Sequence, residues 1–243
     1  MIHGGMIMAI DDPSFRNRAE AGHQLAARLM GFRSRKPVVL ALPRGGVPVA
    51  YEIAKALRAP LDLILVRKIG APGHPEFGLG AVVDGAHPQT VLSEDVVVQL
   101  EVPSAYIEKE VQRQLREIER RRAHYLGGRR PIDVEGRTAI VVDDGIATGG
   151  TVRAALQGLS RARPAYLILA VPVAPAETVE ALRSQADEVV CLSTPEPFYS
   201  VGMHYDDFTQ TTDEEVVALL NKARSWSEAT LIASGSSSGR RAG

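Results

Sequence analysis

Short, nearly unbroken aliphatic runs recur along this chain, each bounded by proline, glycine or charged residues. Val38 to Leu42 opens after Pro37 and stops at Pro43, and Leu61 to Val66 follows Pro60. Thr138 to Val142, Ala165 to Val171 and Glu188 to Leu192 repeat the pattern. A strand covered on both faces reads as continuous Val/Ile/Leu, whereas a half-exposed strand alternates with polar residues. Helical patterns follow most of these runs, from Val47 to Leu57, from about Gly150 to Ala162 and from about Ala176 to Gln185. Strand–helix alternation with buried strands predicts an α/β fold whose parallel sheet carries helices on both faces through right-handed crossovers.

Other segments frame this core. Phe15 to Met30 has helical apolar spacing, with Ser14 placed to cap it and Gly31 to end it. From Gly70 to Ser93, glycines and prolines interrupt any helix, which predicts a long loop with a short hairpin pairing Leu79–Val83 with Thr90–Leu92. Pro103 to Leu126 is the longest helical pattern, with Ile107, Val111, Leu115 and Ile118 on one face and Gly127-Gly128 as the stop. Asp213 to Ala223 reads as a last helix, and Ser234 to Gly243 is too poor in apolar residues to repay its ordering entropy. The expected organisation is an extension over 1–13, one domain over 14–224 and a disordered tail over 225–243.

Composition narrows the classes. With 45% hydrophobic and 23% charged residues among 243, the chain is globular. Its lone cysteine, Cys191, cannot form an internal disulfide and lies in an apolar run, so it reads as a small core residue in a reducing cytoplasm. A formal net charge of −1 argues against nucleic acid or anionic lipid as a bulk partner. The start, Met1 to Ile10, lacks the pattern of a signal peptide, and no apolar run reaches the roughly 20 residues of a membrane span, so a soluble protein is expected. The histidines are scattered without metal-ligand spacing. Arg113, Arg116, Arg120, Arg121 and Arg122, with Arg129 and Arg130, form a basic helix surface; it reads as a solvated face paired with Glu108, Glu110, Glu117 and Glu119, with RNA contact as the sharper alternative.

The stretch Ile140 to Thr151 carries the most chemistry. An apolar strand ends in Asp143 and Asp144, and Gly145-Ile146-Ala147-Thr148-Gly149-Gly150-Thr151 then opens a helix. Glycines let successive N–H groups converge, the helix N-terminus adds partial positive charge, and the threonine hydroxyls add donors, which suits a phosphate. Two unit charges about 5 Å apart repel by roughly 3 kcal/mol at an effective dielectric of 20, so the acids need hydroxyl donors or a cation. A ribose diol supplies the first and Mg²⁺ the second. A phosphate cradle beside diol acceptors points to a phosphoribose. The plainer alternative is a strand–turn–helix in which one aspartate is only a cap. A Walker-type nucleotide loop is disfavoured because no lysine follows the glycines.

This segment closely resembles the signature of the type I phosphoribosyltransferases, whose ligand is 5-phosphoribosyl 1-diphosphate (PRPP). The resemblance covers roughly Phe15 to Ala223 and implies a parallel-sheet fold of that type, with flanking helices and a small hood. It implies that Asp143 and Asp144 contact the ribose hydroxyls, that Gly145 to Thr151 hold the 5-phosphate, and that Mg²⁺ arrives with PRPP, with Asp143 or Asp144 as possible direct ligands. Many members carry an acid just before the Thr-Gly, where it serves as a base. Ala147 stands there in this chain, as in adenine-type members, so a loop-borne general base is missing. Pro43-Arg44-Gly45-Gly46 resembles the family's diphosphate loop, which often contains a cis peptide, here to be sought at Pro43–Arg44. Arg67 and Lys68, at the end of the second core strand, are candidates for diphosphate contact or solvated strand-end charges. The segment 69–93 matches the family's mobile catalytic loop; His74 and Glu76 within it are either proton-transfer groups or ordinary loop residues. Segment 193–212 resembles the hood of purine-type members, with Phe198 and Tyr199 as candidate acceptor contacts or simple packing residues. The implied reaction transfers a phosphoribosyl group to a nitrogen acceptor with release of diphosphate. Its rival is a PRPP-sensing regulator with little turnover, and a hydrolase of phosphoribosyl compounds is a weaker third. Self-association is left open.

Overall fold

The computed structural model describes residues 15–235, with side chains described as far as residue 226. Five strands form one parallel sheet in the order β2-β1-β6-β7-β8: β1 Val38–Ala41, β2 Leu61–Leu63, β6 Thr138–Val142, β7 Tyr166–Val173 and β8 Glu188–Ser193. Its strands alternate between two apolar cores, as residues of period two must. Val39, Ala41, Ile140, Val142, Ile168 and Ala170 face one side, where α1 (Arg18–Leu29) and α2 (Gly46–Leu57) pack. Val38, Leu40, Ala139, Val141, Leu167 and Leu169 face the other, with α5 (Gly150–Arg161) and α6 (Ala176–Leu182). The parallel sheet with both faces covered is the architecture expected from the aliphatic runs.

Chain order reverses between β1 and β6: β2 was added outward on one side, then β7 and β8 on the other. Such a switch point leaves a crevice at the carboxyl ends of the two central strands, where α/β sheets bind ligands. Pro43 to Gly46 follows β1 and Asp143 to Gly149 follows β6, so both sequence motifs sit at that crevice.

Four expectations need correction. The segment expected as a long loop is instead an antiparallel sheet of β3 (Val66–Ala71), β4 (His74–Val83) and β5 (Gln89–Leu92), followed by α3 (Glu94–Gln99). The hairpin foreseen within it is present, with Ala81 opposite Val91 and Val82 opposite Thr90. The second core strand stops at Leu63 rather than Val66, and Val66 to Lys68 belong to β3. At the N-terminal helix the cap is Asn17, whose side chain accepts from Glu20 N–H, and the chain runs on in a 3-10 turn, Met30–Arg35, instead of ending at Gly31. Ser14 and the 1–13 extension lie outside the described residues. Finally, α7 spans Asp213–Gly235 and crosses the expected boundary at residue 224. Trp226 explains part of this: its ring lies 5.3 Å from Tyr51, and its indole N–H donates to Ala59 O at 3.2 Å. Residues 236–243 of the expected tail lie outside the described residues.

Along α4 (Ser104–Leu126) the arginines of the basic cluster divide. Arg113 pairs with Glu110, and Arg120 and Arg121 pair with Glu117, as a solvated face would. Arg122 is the exception. It is buried and bridges Asp62 of β2 to Asp84 beyond β4. No helix among the described residues is long and apolar enough to cross a membrane.

Candidate functional site

At the switch point the two motifs are in direct contact. Leu42 N–H donates to Val142 O, continuing the β1–β6 pairing one residue past the strand. The next peptide, Pro43–Arg44, is cis, at the position the resemblance indicated. A Cβ on Gly45 would lie 2.0 Å from Asp144 Oδ2, and one on Gly46 2.7 Å from Val142 O. No larger residue fits either position, so the glycines are demanded by the close approach of the turn to the acid pair.

The acids are unequally supported. Asp143 Oδ1 accepts the N–H of Asp144 at 2.9 Å. Asp144 Oδ2 accepts from Arg18 Nε at 2.7 Å, and its backbone carbonyl accepts the Tyr205 hydroxyl at 2.5 Å. Both carboxyls keep some solvent contact, yet protein surrounds them on most sides. Burial and then the neighbouring Asp144 charge hold Asp143 well above the usual carboxylate range. Burial also raises Asp144, opposed by the Arg18 guanidinium. Burial and then the Asp144 charge push the Tyr205 phenol upward, so it is a fixed donor.

The loop after the acids divides its residues between packing and exposure. Gly145 lies under the hood, where a Cβ would come 2.4 Å from Val201 Cγ1. Ile146 is buried in the core, and its N–H donates to Val173 O at 2.9 Å. Ala147 O accepts the Thr178 hydroxyl at 3.1 Å. Gly149, at φ +74°, turns the chain into α5, a conformation that favours glycine. Thr148, Gly150 and Thr151 stay exposed beside the first turn of α5, whose N–H groups have no partners within the helix. That is the arrangement in which helix N-termini take anions.

The remaining candidates divide. Arg44 is part-exposed on the turn whose glycines meet the acid pair, and its Nη1 is 3.5 Å from Asp213 Oδ1 at the start of α7. Asp213 also accepts the Tyr125 hydroxyl at 2.7 Å, and Tyr125 and then burial hold and oppose its low pKa respectively. Arg67 and Lys68 point to opposite faces of β3, as strand neighbours must. Arg67 turns onto α4 and donates to Gln114 Oε1 at 3.1 Å, so it is not at the strand-end crevice as expected. Lys68 reaches across the hairpin to Glu76, contacting its carbonyl and, at 3.8 Å, its carboxylate. His74 and Glu76 are exposed on the hairpin. Phe198 stacks on His204 with centroids 5.4 Å apart, whereas Tyr199 is 73% exposed. Phe198 is thus partly committed to packing the hood, and Tyr199 is free to meet a ligand. Cys191 is half-buried, and burial raises its thiol, in keeping with a packing role.

Sequence reasoning missed Arg18, Asp213 and Thr178. Arg18 lies 126 residues from Asp144, and no local pattern links them. Tyr205 was visible only as part of the hood segment.

Fold and site together define a parallel α/β protein with its candidate site at the β1–β6 switch point. The chain belongs to the phosphoribosyl transferase family: the family model for the phosphoribosyl transferase domain matches residues 17–207. A Mycobacterium tuberculosis protein, provisionally named a phosphoribosyl transferase, is 48% identical over 220 residues, covering 90% of this chain and 49% of the relative. The chain therefore spans about half the length of the curated relatives it matches. The crystal structure of TT1426 from Thermus thermophilus is 44% identical, with a TM-score of 0.75 over 86% of this chain and 98% of that one.

Proposed function

We propose that this chain transfers the 5-phosphoribosyl group from PRPP to a nitrogen acceptor, such as a nucleobase, and releases diphosphate. One observation carries the reading: a carboxylate pair and an open glycine–threonine loop leading into a helix N-terminus lie side by side at the switch point, in contact with a second glycine turn bearing Arg44. The pair suits ribose hydroxyls, the loop and the first turn of α5 suit the 5-phosphate, and Arg44 suits the diphosphate through its forked donors. Lys68, on the hairpin and bonded to Glu76, would have to leave that partner to serve as a second diphosphate contact. Tyr199 is the exposed aromatic of the hood and the better placed of the two acceptor candidates.

The donor set fits Mg²⁺ carried on the substrate. A magnesium ion is usually held by one or two carboxylates with substrate phosphates, and Asp143, the acid that Arg18 does not touch, is the side chain that would share it. When bound, the ion would neutralise charge on the departing diphosphate. In the reaction the acceptor nitrogen lone pair forms the bond to C1 as the C1–O electrons leave with diphosphate. The acceptor's proton passes to the released diphosphate or to water, since position 147 carries no base. The chain's own contribution is positioning and charge placement.

The test is incubation with PRPP, Mg²⁺ and a panel of purines, pyrimidines and simple amines, following diphosphate. Base-dependent release supports the transferase. Tight PRPP binding with no release across the panel supports the sensor reading, which the alanine at 147 keeps in play. No PRPP binding sinks both.

A further inference from the structure

Arg18 enters the crevice from the first turn of α1, and three contacts fix it. Nε donates to Asp144 Oδ2 at 2.7 Å, Nη1 donates to Thr209 O at 2.8 Å, and the guanidinium carbon lies 3.9 Å from the Phe208 ring centroid. Tyr205 stands on the same side, 5.9 Å from that carbon, while its hydroxyl holds the Asp144 backbone. Side-chain exposure is 10% for Arg18 and 14% for Asp144. A guanidinium clamped by a carboxylate, a carbonyl and an aromatic face does not swing away when a ligand arrives, and it never loses its proton.

Arg18 therefore brings permanent positive charge to the acid pair, while Arg44, on the neighbouring turn, is engaged by Asp213. With Arg18 counted, two ionised acids present a net charge of −1 instead of −2. Magnesium-like ions dehydrate reluctantly and need uncompensated oxygen ligands, which substrate phosphates ordinarily complete. Among the described residues no group of three or more His, Cys, Asp or Glu side chains is placed to hold an ion.

We propose that Arg18 is the resident counter-cation of the Asp143–Asp144 pair: it fixes Asp144 to receive a ribose hydroxyl and keeps divalent metal off the pair until metal arrives on a diphosphate. This rests on the PRPP reading above. Arg18 does not touch the reacting carbon, so it is a positioning residue that acts through Asp144. Its second hydrogen bond, to Thr209 O, ties the hood to the same carboxylate, so the acceptor side and the sugar side of the site share one anchor.

The probe is Mn²⁺ added to the ligand-free full chain, with free ion followed by electron paramagnetic resonance. The wild-type chain leaves Mn²⁺ free up to about 1 mM, the range of weak carboxylate sites. Arg18→Gln gains one Mn²⁺ site, and adding Asp144→Asn removes it. In calorimetry with excess Mg²⁺, R18Q weakens PRPP binding roughly tenfold, the loss expected for one charge-assisted hydrogen bond. Arg18→Lys keeps Mn²⁺ off and recovers part of the PRPP affinity, because it restores the charge without the fork. A folded R18Q that gains no Mn²⁺ site overturns the proposal whatever its PRPP affinity. If R18Q does not fold, wild type and R18K still decide: Mn²⁺ held by either at the acid pair, and released by Asp143→Asn, overturns it, and both free of Mn²⁺ with weakened PRPP binding in R18K supports it. A wild-type chain that ignores PRPP would sink the functional reading, while the Mn²⁺ comparison would still decide the role of Arg18.

Discussion

Two regions of this molecule set a pair of aspartates against one arginine, and they are finished differently. Between β2 and the end of β4, Arg122 donates to both acids, at 3.0 and 3.2 Å to Asp62 and at 2.6 Å to Asp84. Asp62 also accepts the N–H groups of Leu63 and Ile132, each at 2.8 Å, and all three side chains are buried. Arg122 Nε is buried without a hydrogen-bond partner, but the acids there face only protein. At the strand-end crevice Arg18 bonds Asp144 and not Asp143, whose Oδ1 accepts its neighbour's N–H. A buried triad holds the antiparallel sheet to the core, whereas a half-open one leaves acceptors facing solvent. Charge type and count are the same; burial and filled carboxylate acceptors separate a staple from a site.

Arg122→Met should break the staple most severely. Removing the cation strands two buried carboxylates, and such losses cost about 3–5 kcal/mol. Denaturant unfolding would show it, and a loss below about 1 kcal/mol would mean the triad is not a staple. Next in size, Asp144→Asn should lower PRPP affinity about 10- to 100-fold, from the loss of a charge-assisted contact, with much less effect on stability than R122M. Unchanged affinity by calorimetry would mean the crevice acids do not meet the sugar.

Asp143→Asn should move stability the other way. The Asp143 carboxyl holds its proton more tightly folded than unfolded, because burial and Asp144 disfavour its charge. Its stabilising contribution is therefore present below the ordinary carboxyl value and is lost as pH rises through the raised folded value. Once ionised the group is a liability, and asparagine removes it. The melting temperature at pH 7 should rise, and the gain should shrink as pH falls toward the ordinary carboxyl value. A pH-independent difference would contradict the assignment. The smallest effect belongs to Arg120→Ala. Arg120 and Arg121 hydrogen bonds hold Glu117 down to about 2, but the pair is open to water, so the unfolding midpoint should stay at the wild-type position.

Much of the parallel sheet was legible because its strands are buried on both faces and so read as continuous aliphatic runs. The acid pair and its loop were legible because their partners are contiguous in the chain. The antiparallel sheet was hidden by its own glycines. A Cβ on Gly70 would meet Pro75 O at 2.4 Å, and one on Gly80 would meet Val91 O at 2.0 Å. These residues permit close strand approach, yet in sequence they look like breakers. Arg122 had a readable signal: it follows Ile118 by four residues and precedes Leu126 by four, on the buried stripe of α4. Its partners, Asp62 and Asp84, lie 60 and 38 residues away, so the bonds themselves were not readable. Arg18 had no such signal, since its meaning comes from a tertiary contact alone.

The antiparallel sheet also carries a mechanical consequence. Its base is wedged against α5, where a Cβ on Gly158 would come 2.7 Å from Val83 Cβ, and Arg161 donates to Thr90 O at 2.5 Å. That half travels with the helix whose first turn faces the crevice. Beyond it the ladder slips register on both sides of Gly70, and His74 to Phe77 are exposed. The distal finger thus has fewer packing partners than the base, like a blade standing out from a riveted handle, and Lys68 lies beside the register slip.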